Sequence, residues 1–245
     1  MTSGAFKAAL LQLMPGFERA SGNTVVVIDG ASMGDGPTTI PNRLARGEAA
    51  DVVILADEGV RQLIARGLVA SDGRVELVRS SIGMAVRAGA PKPDISSVDA
   101  LTHTLLAAQS IAYSSSASGV YLSGELFPSL GIADQIAPRS RRIESGPVGE
   151  AVARGDAELG FQQISELRPV KGIDIVGPLP AGAQRLTIFS AGVVAGGNQQ
   201  DARRLIAYLS SPAAAPAIRK SGMDPVQKAN SRGGVTPMIQ THAPR

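Results

Sequence analysis

The sequence predicts an α/β protein made of two doubly wound units, one inserted into the other. Strand-like and helix-like segments alternate along the chain with short connections, which is typical of doubly wound sheets with mostly parallel strands. The composition agrees, because 44% of the 245 residues are hydrophobic and 18% are charged, which is enough apolar material for a sizeable core. No apolar run reaches the roughly 18–20 residues that span a bilayer, so no membrane insertion is expected.

The first unit is predicted to occupy residues 1–80 and to resume at 190–226. Its predicted elements are a helix from residue 4 to the glycine at 22, strands at 24–28 and 51–56, a helix at 38–46 and a helix capped by Asp57. Parallel α/β units usually open with a strand, whereas this chain enters its first helix directly. We therefore expect that a preceding strand, and any signal peptide, is not included in this chain.

The second unit is predicted to be inserted at residues 81–189. Its predicted elements are strands at 82–87, 110–113 and 158–161, and helices from Ser96 or Ser97 to Leu105, at 119–130 and at 147–154. A strand at 187–195 and helices at 199–210 and 212–221 then return to the first unit. Residues 227–245 have no periodicity and are predicted to form a disordered tail.

The composition also excludes several classes of chemistry. The chain has no Cys and only two His, so disulfides, thiolate nucleophiles and zinc cages are not expected, and neither a metal nor a cofactor is predicted. The net charge is only +3, and the five Phe and three Tyr are scattered along the chain. The densest basic cluster, 139–142, is interpreted as an exposed loop. No nucleic-acid partner is therefore predicted.

Small and hydroxyl-bearing residues are concentrated at four predicted strand-to-helix junctions. These junctions are residues 2–5, 30–36, 114–119 and 145–149. At the carboxyl ends of strands, free backbone N–H groups and helix dipoles can hold an anion without any cation. None of the four matches a dinucleotide, P-loop or nucleophile-elbow motif. The sequence therefore predicts a site for a small anion, although each junction can also be an ordinary turn or helix cap.

Polar residues next to these junctions are further candidates. Gln162 and Gln163 follow a predicted buried strand, where each amide supplies a neutral donor and acceptor aimed at the expected cleft. Asp35 lies inside the second junction and Glu150 beside the fourth. Either carboxylate is a candidate general base, or else a solvated charge at a helix terminus.

Six segments carry a resemblance to a known family. They are Ser3-Gly-Ala-Phe-Lys-Ala-Ala-Leu10, residues 40–55, residues 83–94, the turn 114–119, residues 148–160 and Ser211-Pro-Ala-Ala-Ala-Pro-Ala-Ile-Arg-Lys220. On these segments the chain resembles the molybdate-binding-like group of type II periplasmic solute-binding proteins, over residues 1 to about 226. The resemblance implies a periplasmic protein with two lobes, joined by crossing strands near 79–83 and 187–192, and with an ABC permease as its partner.

The resemblance also implies which positions contact the ligand. In molybdate binders, serine hydroxyls, backbone N–H groups and a tyrosine hydroxyl hold the oxyanion, and two of the hydroxyl positions fall here on Ala5 and Gln163. The second junction is also longer than usual. These departures favour a larger, unsymmetrical anion such as a small carboxylate. Together, the junctions and the resemblance select as ligand-binding residues Ser3, Gly4, Ala5, Ser32, Met33, Ser116, Ala117, Ser118, Val148, Gln162 and Gln163.

Two functions therefore follow from the sequence. The first is a monomeric solute-binding protein that captures a small oxyanion or carboxylate between its lobes for ABC-type uptake. The alternative is an isomerase of a small tricarboxylate, because aconitate isomerase resembles the same group of proteins. A 1,3-proton shift needs an anion cradle, exclusion of water and one base, for which Glu150 and Asp35 are the candidates.

Overall fold

Two β-sheets form the framework of the protein, and each has helices and a hydrophobic core of its own. The computed structural model describes residues 1–144 and 146–226, so the tail predicted at 227–245 lies outside the described residues. We call the part built on the first sheet lobe 1 and the part built on the second sheet lobe 2. The predicted α/β class with two lobes is confirmed.

The elements alternate along the chain much as predicted. The helices are α1 (Gly4–Ser21), α2 (Ile40–Ala45), α3 (Asp57–Ala65), α4 (Val98–Ala107), α5 (Ala117–Tyr121), α6 (Phe127–Ser129), α7 (Ala133–Ile136), α8 (Val148–Arg154), α9 (Ile164–Leu167), α10 (Gln199–Leu209) and α11 (Ala215–Lys220). The strands are β1 (Val52–Ala56), β2 (Val75–Ser80), β3 (Ile82–Arg87), β4 (Ile111–Ser114), β5 (Ser140–Ile143), β6 (Leu159–Gln163), β7 (Ile173–Pro178), β8 (Thr187–Val193) and β9 (Met223–Pro225). A π-helical turn, Leu122–Leu126, joins α5 to α6. Within the described residues, no helix combines the length and hydropathy that a membrane crossing needs.

The first helix begins and ends where its sequence pattern predicts. The apolar stripe of α1, including Phe6, Leu10 and Phe17, is buried in the core of lobe 1. Gly22 ends the helix with φ at +75°, a conformation that glycine adopts without a Cβ clash, and its N–H donates to the Glu18 carbonyl at 2.9 Å. Because α1 begins at Gly4, its first turn lies within the first predicted junction, residues 2–5.

The strand pairing is less parallel than predicted. Strand order is β1-β8-β2-β9 in lobe 1 and β5-β4-β6-β3-β7 in lobe 2. All named pairs in lobe 1 are antiparallel, and β8, which returns from lobe 2, lies between β1 and β2. In lobe 2, β4 runs parallel to β5 and β6, whereas β3 is antiparallel to β6 and β7.

The strand predicted at residues 24–28 is not formed. Thr2 is its only backbone neighbour in the described residues: Thr2 N–H donates to the Ile28 carbonyl at 2.8 Å, and the Thr2 carbonyl accepts from Gly30 N–H at 3.0 Å. The Val25 N–H instead donates to the Glu18 carboxylate at 2.8 Å. β-Branched residues favour extended backbone, but a strand also needs a partner along its length.

Three strands of mixed composition were not predicted from the sequence. β2 and β7 lack a clear alternation of polar and apolar residues, and β5 contains Arg141 and Arg142. Both arginines are exposed as expected, but they lie on an edge strand rather than in a loop. Charged residues are common on edge strands, where they oppose pairing with other chains.

The chain crosses between the lobes twice. It leaves the first sheet at the end of β2 and enters the second at Ile82. It returns between β7 and β8, and β8 pairs with the first sheet from Thr187, whereas the predicted return is at residue 190. The Gln184 side chain links the two crossings, since its Oε1 accepts from Ile82 N–H and its Nε2 donates to the Ile82 carbonyl, both at 2.9 Å.

Candidate functional site

A cavity of about 520 Å³ lies between the lobes, and residues of all four predicted junctions line it together with the end of β6. Most of the predicted ligand-binding residues line this cavity: Ser3, Gly4, Ala5, Ser32, Ser116, Ala117, Ser118, Gln162 and Gln163. Of the fourth junction, Gly146 and Pro147 line it, and Ser145 is outside the described residues. The cavity is therefore the candidate site.

Another cavity, of about 1040 Å³, lies within lobe 1 between residues 22–28 and β1. It is larger, but none of the predicted ligand-binding residues lines it. The interlobe cavity is therefore the better candidate despite its smaller volume, because most of the predicted ligand-binding residues line it.

The first junction presents free polar groups at the start of α1. Ser3 is 2% exposed, and its Oγ has no hydrogen-bond partner among the described residues. The N–H groups of Gly4 and Ala5 have no intrahelical acceptor, because they belong to the first turn, and no other described group accepts from them. This end of the cavity can therefore donate several hydrogen bonds to an anion.

The second and third junctions touch each other across the cleft. Ser32 N–H donates to Ser116 Oγ at 3.3 Å, and Ser32 Oγ accepts from Ala56 N–H at the end of β1, at 3.1 Å. In the third junction, the hydroxyls of Ser114 and Ser118 pair with each other at 3.0 Å. Met33 packs against the core of lobe 1 and does not line the cavity. The serines thus join the lobes as well as line the site.

The two glutamines lie within β6 rather than after it, because the strand extends to residue 163. Gln162 Oε1 accepts from Val148 N–H at 2.8 Å, so this N–H already has a partner inside the protein. Gln163 is 1% exposed; its Nε2 donates to Thr187 Oγ1 at 3.0 Å, and its Oε1 has no partner among residues 1–144 and 146–226. Because a hydroxyl can donate or accept, Gln163 can turn either its oxygen or its NH₂ group toward a ligand.

Sequence reasoning missed two residues of the site, Ser165 and Glu166, on the short helix that follows β6. Ser165 is 1% exposed and its Oγ has no partner in the described part of the chain. Glu166 Oε1 accepts from Gln162 Nε2 at 3.0 Å. Burial raises the pKa of Glu166 to about 7, and the hydrogen bond from Gln162 only partly opposes this. Their position directly after Gln163 is the one sequence signal that could have identified them.

Neither carboxylate that the sequence suggested as a base lines the cavity. Glu150 is exposed on α8, and Asp35 is outside the cavity wall. The predicted cap Asp57 also differs from expectation, because it is the first residue of α3 and caps nothing. Burial alone would raise the pKa of Asp57, but hydrogen bonds from Arg74, Ser190 and Arg61 outweigh burial and lower it to about 2.

The sequence matches known proteins along most of its length. The family model described as bacterial extracellular solute-binding protein matches residues 1–224. The aconitate isomerase of a Pseudomonas species is 49% identical over 227 residues, which are 92% of this chain and 87% of that protein.

Solved structures of low sequence identity share the fold. The periplasmic molybdate-binding protein of Azotobacter vinelandii matches with a TM-score of 0.73 and 22% identity, over 92% of this chain and 98% of that one. PEB3, a protein of Campylobacter jejuni, matches in its L-phospholactate complex with a TM-score of 0.68 and 15% identity, over 91% and 97% of the two chains. At these identities the likeness concerns the fold.

Proposed function

The chain belongs to the family of bacterial extracellular solute-binding proteins, and on this premise we propose that its interlobe cleft binds a small polycarboxylate and isomerises it. The proposed substrate is a tricarboxylate of the aconitate type. The proposed reaction moves one proton between two carbons of the substrate, with a matching shift of the double bond.

Three polar atoms in the wall of the cavity, unpartnered within the described structure, carry this proposal: Ser3 Oγ, Gln163 Oε1 and Ser165 Oγ. A buried polar atom without a partner costs about 1–3 kcal/mol, so three around one cavity favour a ligand that supplies the missing hydrogen bonds. The three atoms come from both lobes, which suits a ligand with several polar groups better than a single compact oxyanion.

The size and charge of the cavity support an organic anion. Its volume of about 520 Å³ lies within the range of roughly 300–1,000 Å³ that is usual for organic ligands. Among the described residues, the only cation in its wall is Lys7, which is paired with Asp29. Carboxylates accept hydrogen bonds from hydroxyls, amides and the first turn of a helix, and the first turn of α1 provides such donors.

The relative named aconitate isomerase supports the catalytic part of the proposal, because it is 49% identical over 92% of this chain. An interconversion of aconitate isomers by a proton shift needs no redox partner or co-reactant. It needs an anion cradle, shelter from water and a group that can take and return a proton.

A second candidate function is capture of the same kind of ligand for uptake. The family match and the two-strand crossing between lobes favour it, because such proteins close on a ligand by hinge motion. In this case the protein would work in the periplasm, as a monomer, and deliver the ligand to an ABC permease.

Thermal-shift measurements test the proposed ligand class. We expect citrate and both aconitates to raise the melting temperature at millimolar concentration, because a ligand that binds only the folded state stabilises it by about 2.7 kcal/mol at 100 times its Kd. Molybdate, tungstate, sulfate and phosphate serve as matched anions and should give smaller shifts. Larger shifts with the tetrahedral oxyanions would contradict a polycarboxylate site.

Proton NMR of the bound carboxylate then separates the two candidate functions. The isomerase predicts that the second aconitate isomer appears catalytically when either isomer is incubated with the protein. A spectrum that stays unchanged at high protein concentration, with a clear thermal shift, would leave capture for uptake as the function.

A further inference from the structure

We infer that Glu166 is the catalytic residue that takes the proton from the substrate and returns it, which rests on the proposed isomerase function. The sequence pointed instead to Glu150 and Asp35, and neither of them lines the cavity. Four features of the described structure lead to Glu166: it lies in the cavity wall without a cationic partner, Gln162 orients its carboxyl group, Gly4 lets it lie against lobe 1, and burial raises its pKa.

Glu166 is the one carboxyl group of the described cavity wall that has no cationic partner. The other two carboxylates of the wall are ion-paired, Asp29 with Lys7 and Glu144 with Arg142. A carboxylate held by a cation is a weak base, because the ion pair favours its charged form. Within the described part of the chain, Glu166 has only the neutral amide of Gln162 as a partner and can therefore exchange a proton.

Gln162 fixes the orientation of the Glu166 carboxyl group. Since Gln162 Oε1 must accept from the Val148 N–H, at 2.8 Å, its NH₂ group has to face the other way. That group donates to Glu166 Oε1 at 3.0 Å, which leaves Oε2 with no hydrogen-bond partner among the described residues. Oε2 is not fully buried, so it keeps accessible surface that a substrate can contact.

Gly4 lets the Glu166 carboxyl group lie against the other lobe. A Cβ atom at position 4 would overlap Glu166 Oε1, so any other residue there would push the carboxyl group away. Gly4 is also the first residue of α1, where the unpaired N–H groups are placed to hold an anionic substrate. The Glu166 carboxyl group and the anion-binding groups are thereby brought to the same end of the cavity.

The charged groups around α9 do not set the behaviour of Glu166. Those on the elements packed against α9 are Lys7, Glu18 and Arg19 on α1, Glu150 and Arg154 on α8 and Arg87 on β3, with Arg168 following α9 itself. The pKa of Glu166 is instead raised to about 7 by burial, which the Gln162 hydrogen bond only partly opposes. A group with this pKa is a mixture of acid and base near neutral pH, which suits it to both halves of a proton shift.

The step balances without any co-reactant. Ionised Glu166 accepts the proton of a C–H bond next to a substrate carboxylate, and the electrons of that bond form a new C=C bond. The electrons of the former C=C bond move to the far carbon, which takes the proton back from the Glu166 carboxyl group. Substrate and side chain both end in their starting charge state.

Glu166→Gln tests the inference, because glutamine keeps the shape of the side chain but cannot accept the proton. We expect the rate of aconitate interconversion, followed by proton NMR, to fall by about 10²- to 10⁴-fold. The thermal shift with aconitate should remain, which shows that the variant folds and binds. Glu58→Gln is the matched control, since it makes the same change at an exposed position of α3 and should keep the wild-type rate.

The pH profile of the wild-type protein gives a second, independent readout. Because the base must be ionised in the free protein, kcat/KM should fall as the pH drops below about 7, and any residual rate of Glu166→Gln should lose this dependence. Wild-type activity together with an unimpaired Glu166→Gln variant overturns the inference and leaves the isomerase proposal intact. A loss in Glu150→Gln alone assigns the step to the residue that the sequence suggested, and an inactive wild-type protein overturns both proposals.

Discussion

Ser3 and Ser32 both line the cavity, but their hydroxyl groups differ in their partners. Ser3 Oγ has none in the described structure, whereas Ser32 Oγ accepts from the buried Ala56 N–H at 3.1 Å. The first hydroxyl is therefore free for a ligand, and the second helps to hold β1 to the adjoining loop. The sequence shows the same residue type in both places and cannot distinguish these roles.

Alanine substitutions at these two serines should consequently differ: one should lower stability and the other should weaken ligand binding. Ser32→Ala leaves the Ala56 N–H unpaired and is expected to lower the free energy of unfolding by about 1–3 kcal/mol. Ser3→Ala removes an unpartnered hydroxyl, so it should leave the stability unchanged and weaken the thermal shift with a carboxylate. Urea denaturation and thermal shifts measure the two effects. Equal losses of stability would contradict the distinction.

Residue types in the site were predictable, but their partners were not. The serines and glutamines were identified because small and polar residues follow buried strands. Glu166 was missed because the apolar pattern of β6 ends at Phe161, and the strand continues to Gln163 through two buried amides. The raised pKa of Glu166 arises from burial between two lobes, which no local pattern can show.

At the scale of elements, the tight passage from β4 to α5 fixes the third junction. A Cβ atom at Gly119 would overlap the Ser114 carbonyl oxygen and also approach the Tyr113 ring. The helix can therefore fold back over the strand end only because position 119 has no side chain. This close approach brings the Ser114 and Ser118 hydroxyls to 3.0 Å.

Gly119→Ala should therefore be strongly destabilising, by about 3 kcal/mol, because the helix must move away from the backbone of β4. Gly124→Ala is the matched control, because a Cβ atom there meets nothing within 4 Å and lies in a helical segment. That control should be neutral or slightly stabilising. Urea denaturation of both variants measures the difference, and similar stabilities would show that the contact at Gly119 is easily relieved.

Element boundaries followed the sequence wherever periodicity and caps coincide. α4 begins after Ser97, whose Oγ accepts from Ala100 N–H at 3.1 Å as the sequence predicts. α1 shows the same agreement, with its apolar stripe and terminal glycine. The strand prediction at 24–28 was wrong for a non-local reason. Its residues favour a strand, but among the described residues only Thr2 pairs with this stretch of backbone. β5 was not predicted because it is an edge strand, and an edge strand needs no apolar pattern.

At the scale of the whole molecule, the cleft lies where the two crossings meet. Gln184 ties Ile82 to the returning segment, and Glu166 of lobe 2 rests on Gly4 of lobe 1. Opening the lobes would separate Glu166 from Gly4 and expose its carboxyl group to water. Its pKa would then move from about 7 toward the ordinary value of 4.5.

Closure of the ligand-free protein should therefore depend on pH. Between about 4.5 and 7 the closed form binds more protons than the open form, so lowering the pH through this window favours closure. Small-angle X-ray scattering should give a smaller radius of gyration at pH 5.5 than at pH 8. Glu166→Gln has no titrating group there, and its radius should not change between the two values. A wild-type radius independent of pH would mean that Glu166 stays buried throughout.

The Gln163 side chain links the cavity to the strand that returns to lobe 1. One end of its amide faces the cavity without a partner, and the other is held by Thr187 at the start of β8. A ligand that hydrogen-bonds to this amide would therefore be linked to the crossing segment through a single side chain. The ligand and the returning strand would then share one side chain, with no intermediate residue between them.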